Sequence, residues 1–311
     1  MKPLLSICIP TDGNVNWVIP VLDSIYRQKV DFNLFEVVIA DNGSNTFLEK
    51  ALNNYSYENL IYKRTTEKGF LNLITALLIG KGKLRKMLNH RSILRLGIIE
   101  EWLSLIRQYE KEHPVIYFSD GVLLKNKIIE CDDFNSFVST LSYYSSWSAG
   151  LAIWDCDIDN LIDREYNEMF PNTTLLFSFR NRNRYLVVDT KYQDMQDDLG
   201  KGGYDLFYTF SVEYLNVLND LRISGDISDE TFIDIKLRLI GFFSYWYFVT
   251  VIKRSKKYTF KNVDIKKSFQ IYYSLWDYYN VCLRAWFIVY TKSVLKNIGS
   301  ILFEMHRASD R

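Results

Sequence analysis

Proline and cysteine are scarce in this 311-residue chain, at five and four residues, and histidine is scarcer still at three. With only fourteen glycines beside the five prolines, a collagen-like or linker-rich architecture is excluded. Cys8, Cys131, Cys156 and Cys282 lie far apart and form no CxxC or Cys/His ligand spacing. That argues against a zinc site and a disulfide framework, and predicts reduced core thiols. Net charge is nearly absent, with 38 Lys/Arg against 37 Asp/Glu, which argues against a general nucleic-acid binder. Long apolar runs are missing as well. The longest, Leu239 to Ile252, has 14 uncharged residues, where a membrane span needs about 17–25. The apolar run before Pro10 is too brief for a signal peptide and lacks a small-residue cleavage site, so a cytoplasmic location is expected.

What is present is apolar and aromatic. Hydrophobic residues make up 48% and aromatic residues 16% of the chain, a globular composition that excludes intrinsic disorder. At about 150 residues per domain, the length suits one large domain or two smaller ones. The charge is unevenly placed. From Thr250 onward 12 Lys/Arg stand against 4 Asp/Glu, whereas the residues before carry 26 and 33.

Leu4 to Ile9 is a continuous apolar run rich in β formers and bounded by Pro10, the mark of a buried parallel strand. Asn16 to Gln28 repeats apolar residues at helical spacing. Phe35 to Ala40 is a second buried strand, ending at Asp41-Asn42-Gly43-Ser44. Strand, helix and strand within about 40 residues make a βαβ unit. Ligands in open α/β sheets bind outside the carboxyl ends of the strands. The turns Thr11-Asp12-Gly13-Asn14 and Asp41 to Ser44 therefore mark the expected crevice. Helices near Phe70 to Ile79 and Ile98 to Glu112, a short segment Leu84 to Leu88, and strands at Val115 to Phe118 and Ser146 to Trp154 continue the alternation, so an α/β layer sandwich is expected. From Tyr204 the pattern turns helical to about Leu221, with a turn at Ser224-Gly225-Asp226 and a new N-cap at Ser228 or Asp229.

Three segments together resemble a known family. LLSICIPTDGN, then FEVVIADNGS, then GFLNLITALLIGKGKLRKMLNHRSILRLGII are similar to the N-terminal half of family 2 glycosyltransferases, over residues 3–125. The resemblance implies a GT-A-like fold: a doubly wound, mostly parallel sheet sandwiched by helices, followed here by a helical C-terminal region. It implies a nucleotide-sugar-binding and catalytic domain over 1–215 and a helical, aromatic and basic region over 216–311. In that family the first strand ends in a turn touching the donor nucleotide, and an aspartate after the second strand bonds the base or ribose. Pro10, Thr11 and Asp41 match those positions. Asp12 stands where an aromatic residue is common, Asn14 takes the place of an asparagine, and Asn42 and Asn89 complete the implied donor-binding set.

The family's third signature is a run of acidic residues that holds a divalent cation against the donor's two phosphates. The aligned stretch here is Asn89-His90-Arg91-Ser92, with Leu94 and Gly97 still in register. A magnesium or manganese site wants carboxylate oxygens, so such a cofactor is doubtful and no metal ligand is assigned. Three accounts stay open. Arg91, with His90, supplies the positive charge that neutralises the departing diphosphate, within a basic run that includes Lys81, Lys83, Arg85, Lys86 and Arg95. Alternatively, His90 binds a softer metal with a carboxylate from elsewhere. In the third account, the domain is a catalytically inactive relative serving as a scaffold in a polysaccharide assembly complex.

An inverting transfer also needs a general base. In the resembled family this is an acid after the mid-domain strand, often in a Glu-Asp pair, but here the position reads Met169-Phe170-Pro171-Asn172-Thr173-Thr174. Glu168 is the candidate base, with Asp157 behind it; Asp155, Asp159, Asp163 and Glu165 read as solvated loop acids. His113 and His306 pair with no nucleophile. Arg180, Arg182 and Arg184 alternate, and either share a strand face that reads an anionic acceptor or belong to a polar loop.

The last third interleaves aromatic residues such as Trp276, Tyr279, Trp286, Phe287 and Tyr290 with Lys253, Arg254, Lys266, Lys292 and Lys296. Amphipathic helices of this kind lie well on an anionic bilayer, and equally build a helical bundle. The expected partners are therefore a nucleoside-diphosphate sugar, a lipid-linked or glycan acceptor of bacterial surface polysaccharide synthesis, and the inner face of the cytoplasmic membrane. A homo-oligomer is allowed, and no nucleic acid is expected.

Overall fold

The computed structural model describes residues 2–162, 164–197 and 199–291. They divide into two compact units, one holding the chain to Asp197 together with Leu221–Thr231 and the other holding the remainder.

The first unit opens with β1 (Leu5–Thr11), α1 (Val15–Tyr26) and β2 (Phe35–Asp41), the βαβ unit expected from sequence. Then come α2 (Phe47–Leu52), β3 (Leu60–Arg64), α3 (Asn72–Ile79), β4 (Leu84–Met87), β5 (Ser92–Leu94), α4 (Ile98–Tyr109) and β6 (Val115–Phe118). The unit continues with β7 (Ile128–Cys131), α5 (Phe134–Leu141), β8 (Ala152–Trp154), α6 (Pro171–Phe177), β9 (Tyr185–Val188) and β10 (Gln193–Met195). The central sheet runs β3-β2-β1-β4-β8, parallel except for β8. A second sheet, β6-β9-β7, meets it through the bridge between Tyr117 and Leu151, and β5 pairs antiparallel with β10. This is the mixed α/β, parallel-rich class that the sequence implies. Strand order reverses between β1 and β4, which makes their carboxyl ends the switch point where such sheets open a crevice.

Some elements depart from expectation. Only Ala152–Trp154 of the expected strand Ser146 to Trp154 is extended, and Ser142–Ser146 and Ser148–Gly150 are 3₁₀ turns. The Tyr117 hydroxyl explains this. It donates to the carbonyls of Tyr144 and Trp147 and lies so close to Gly150 that a Cβ there would sit 2.1 Å from the ring. β3, β5, β7, β9 and β10 are not expected from sequence; apart from the buried YLVV run of β9, they are short or partly exposed strands with little continuous apolar pattern.

A lysine sits among the aromatic core residues. Lys86 on β4 is fully buried, with Nζ donating to the carbonyls of Met87 (2.8 Å) and Ala149. It lies 4.7–5.3 Å from the ring centres of Phe118, Tyr192 and Trp102, which favour the cation. Burial nonetheless pushes its pKa down to about 7.

In the second unit β11 (Gly202–Asp205) pairs in parallel with β12 (Thr259–Lys261). The helices are α7 (Leu206–Tyr208), α8 (Tyr214–Ile223) and α9 (Asp229–Tyr247), except for their residues within 221–231, and α10 (Ile265–Phe269), with a further helical segment at 275–291. Phe207, Phe243 and Phe269 are fully buried and form an aromatic centre with Tyr273. The expected boundary at 215/216 falls inside α8. The apolar stretch Leu239 to Ile252 belongs to a helical run of 24 residues, Asp229–Ile252, whose 18-residue apolar window has mean hydropathy 1.3, long and apolar enough to cross a membrane by length and composition. The count of 14 uncharged residues therefore understates the helix. A core helix meets the same measure, and here Ile235, Leu239 and Phe243 are fully buried. Asp163, Lys292, Lys296 and His306, singled out from sequence, lie outside the described residues.

Lys86 makes stability depend on pH with a definite sign. Between about pH 7 and the ordinary 10.5, the unfolded lysine still binds a proton that the folded one has released, so stability rises with pH across that window. The excess thermal midpoint of Lys86→Met over the wild type is expected to be most favourable to the variant below pH 7 and to move against it toward pH 10. A difference independent of pH would show that the buried amine keeps its ordinary pKa.

Candidate functional site

β1 and β4 pair only as far as Cys8 and Met87, and the amide of Leu88 closes the ladder on the Cys8 carbonyl at 2.8 Å. Beyond that point the strands part. Pro10 has no N–H to offer a neighbour, so it suits the place where pairing with β4 stops. Thr11 sits in the opening. Its Oγ1 accepts the Gly13 N–H at 3.1 Å and lies 2.9 Å from His90 Nδ1. The hydroxyl thus ties the turn after β1 to the imidazole ring. Burial pushes the His90 pKa down to about 4, with Arg91 acting in the same direction and the Asp12 carboxylate, 3.7 Å away, opposing it. His90 is therefore neutral near pH 7. Beside it stands the guanidinium of Arg91, stacked on Trp17.

Arg91 is held on several sides. Its amide donates to Asn89 Oδ1 at 3.0 Å, a turn that spends the Asn89 side chain on backbone. Its guanidinium lies 3.3 Å from the centre of the Trp17 ring. Trp17 stands in the first turn of α1, whose Asn14 N-cap accepts the Asn16 N–H at 3.1 Å. Gln196 straps the pair together, its amide donating to the Arg91 carbonyl and its side chain to the Trp17 carbonyl, both at 2.9 Å. Stacking fixes the plane of the guanidinium, and the in-plane N–H fork is what matches phosphate oxygens. A helix N-terminus carries partial positive charge, so Arg91 and α1 bring the same sign to one place. The α1 N-terminus itself borders a cleft of about 370 Å³ lined by Asp12, Gly13, Asn14, Val15, Asn16, Asn45 and the exposed ring of Phe47.

Asp41, expected to read a base or ribose, is completely buried. Its Oδ2 accepts from the Tyr62 hydroxyl at 2.8 Å and from Arg64 at 2.9 Å, and its Oδ1 accepts the Gly43 N–H at 2.8 Å. Arg64 also donates to the carbonyls of Gly43 and Asn45. In this structure Asp41 is thus the anchor of the 41–45 turn and does not face the cleft. Asn42 likewise donates its side-chain amide to the Glu67 carbonyl at 2.8 Å. Two glycines allow the approach. A Cβ on Gly13, whose φ is +82°, would lie 3.0 Å from Asp41 Oδ1, and one on Gly43 would lie 2.1 Å from the Asp12 carbonyl oxygen.

The basic run does not form a patch. Lys83 pairs with Glu110 at 2.5 Å, Arg95 with Asp194 at 2.9 Å, and Arg85 is buried with a bond to the Leu77 carbonyl at 2.7 Å. With Lys86 in the core, Arg91 is the member of the run held at the crevice. Arg180, Arg182 and Arg184 also resolve into ion pairs, with Asp226, Asp157, and Glu112 with Glu130. That leaves Asp157 buried beside Arg182 and rules against its use as a base at the crevice. Glu168 is exposed ahead of α6, and among the described residues no bond ties it to the β1 or β4 ends. Asn172 and Thr173, on the first turn of α6, spend their side chains on the Ser145 carbonyl.

Around Arg91 the donor set does not fit a hard divalent cation: Asp12 is exposed, Asp41 is saturated, and the remaining groups are an amide, a neutral imidazole and a guanidinium. Elsewhere, His113, Asp155 and Cys156 have ligand atoms within 4.8 Å of one another. They meet because β8 runs antiparallel to β4 with Trp154 opposite Leu84, at the edge of the sheet away from Arg91, a meeting that spacing along the chain does not reveal. There Asp155 is already paired with Lys2. Trp17, Tyr62, Arg64 and Gln196 were not read from sequence either. Trp17, in the turn after Asn14, was within reach of such a reading; Gln196 carries no local signal.

No protein-family model matches the chain, and no curated protein matches it. Solved structures do. S. aureus TarS 1-349 in complex with UDP-GlcNAc superposes with a TM-score of 0.57 at 16% identity, over 81% of this chain and 76% of that one. TarS 1-349 alone gives 0.56 at 17%, over 81% and 75%. The mannosyltransferase PcManGT from Pyrobaculum calidifontis, in complex with GDP-Man and Mn2+, gives 0.48 at 13%, over 97% and 81%. The likeness to TarS is one of fold.

The charge of His90 is open to measurement. In an NMR titration its ring protons are expected to move with a midpoint near pH 4, and a midpoint at 6 or above would return a share of the positive charge to the imidazole.

Proposed function

We propose that the chain is a glycosyltransferase that takes its sugar from a nucleoside-diphosphate donor bound at the β1 and β4 ends. One observation carries the reading: a single guanidinium, Arg91, stacked on Trp17 in the first turn of α1, whose N-terminus borders the cleft at Asp12 to Asn16. The likeness of fold to TarS, a protein solved with UDP-GlcNAc, supports it. In the reaction an acceptor hydroxyl bonds to the anomeric carbon and gives its proton to a base, for which Glu168 is the candidate, while the bond to the β-phosphate oxygen breaks and its electron pair leaves with the diphosphate. The barrier falls if fixed positive charge waits where that negative charge develops. Arg91 supplies it without a divalent cation, its plane held by Trp17 and its backbone by Asn89 and Gln196. Neutral His90 keeps Thr11 oriented and adds no charge.

The acceptor in this reading is a lipid-linked or polymeric glycan of the bacterial surface, and transfer inverts the anomeric centre, as the resemblance over residues 3–125 suggests. A second reading has its own observation. Where the base is expected, Asn172 and Thr173 bind backbone and Glu168 stands exposed. A site without a base suits a glycosyltransferase-like scaffold in a polysaccharide assembly complex.

Calorimetric titration with UDP-, dTDP-, GDP- and CDP-sugars separates these readings. At least one donor is expected to bind equally well with and without chelator. Arg91→Ala is expected to weaken it at least about tenfold with the melting temperature unchanged, and Arg91→Lys to recover part of the loss. Binding lost in chelator would defeat the metal-independent site, and no binding by any donor would favour the scaffold.

A further inference from the structure

The helical segment at 275–291 is built inside out on one side. Val281 and Ala285 are fully buried, and Ala285, Ile288 and Val289 pack with Phe248 and Val249. On the outer side Trp276, Tyr279, Leu283, Trp286, Phe287 and Tyr290 are each between 52% and 83% exposed. At about 100° per residue these six fall within an arc of roughly 100°, a continuous stripe along the whole segment. Scattered exposed apolar residues are ordinary, but a contiguous aromatic stripe marks an interaction surface.

We propose that this stripe is a membrane-surface element that lies in the interface of an anionic bilayer. Four of its six side chains are Trp or Tyr, whose rings sit at headgroup depth with an apolar body and a polar edge. The opposite side of the segment, with Val281 and Ala285 buried, is packed on protein, so the stripe is presented along one side and lies on a surface rather than across it. The charge fits. Between Thr250 and Thr291 eight Lys/Arg stand against Asp264 and Asp277 alone. Two of the bases flank the stripe directly: Lys266 Nζ lies 3.5 Å from the Tyr279 hydroxyl, and Arg284 is exposed next to Leu283. A second copy of the chain fits less well, because a twofold interface sets each surface against itself and would bring these like charges together. The inference concerns the second unit alone and does not depend on the transfer reaction.

Co-sedimentation of the full chain with phosphatidylcholine vesicles, with and without phosphatidylglycerol, tests it. The chain is expected to partition onto the anionic vesicles and to release as salt rises. Trp286→Ser with Phe287→Ser, and separately Lys266→Glu with Arg284→Glu, are expected to lower partitioning at least about tenfold with unchanged circular dichroism and melting. Brominated lipid is expected to quench tryptophan fluorescence of the unaltered chain, a readout that needs no variant. No partitioning, no quenching, or equal partitioning by both variants would overturn the proposal. So would a dimer in sedimentation velocity that the Trp286 and Phe287 substitutions dissociate, which would assign the stripe to a second copy.

Discussion

A carboxylate with no exposed surface must find its charge and hydrogen-bond partners inside the protein, and the crevice is organised around one that does. Asp41 ends β2 and is met by Arg64 and Tyr62 from β3 and by the Gly43 amide. Removing one partner of such a buried pair typically destabilises by about 3–5 kcal/mol, because the remaining charge stays dry. The half-exposed Arg64 moderates that figure here, since water can reach one side of the pair. The geometry follows from it all the same. Gly13 and Gly43 are glycines because the two turns must close over this carboxylate, and the 41–45 turn then forms one wall of the cleft.

The groups at the β1 and β4 ends differ from an acidic cation cradle. A hard cation needs several carboxylates brought together against their mutual repulsion, whereas one guanidinium needs only orientation. Orientation is what the surroundings provide, through a ring for its face and main-chain bonds for its backbone. The neighbouring imidazole, kept neutral by burial, avoids placing a second cation beside the first.

Much of the fold was legible because it is written locally. β1, α1, β2 and α4 each carry a continuous apolar run or a helical period, and their burial agrees with it. The three-residue strands β5 and β10 were not legible, since so short a strand has no period to detect and forms only because the partner is delivered by the rest of the chain. The site shows the same division. Thr11, His90 and Arg91 announced themselves by order and residue type, while their roles did not. Whether a histidine is charged, whether an aspartate faces a cleft or an arginine, and whether a row of lysines is a patch or a set of ion pairs depend on partners 20 to 100 residues away. Lys83, Lys86 and Arg95 are neighbours in sequence, yet one is paired at the surface to a helix, one is sealed among aromatic rings, and one binds across to β10.

Gln196 gives the molecule a timetable. It joins the carbonyls of Trp17 and Arg91, although it follows Arg91 by 105 positions. As the chain leaves the ribosome, the opening βαβ unit has its whole local pattern long before residue 196 emerges. The cradle that orients the guanidinium is closed only when β10 arrives to pair with β5. A nascent or truncated chain ending anywhere between α4 and β9 would carry the crevice's walls and its arginine without the strap that aims it.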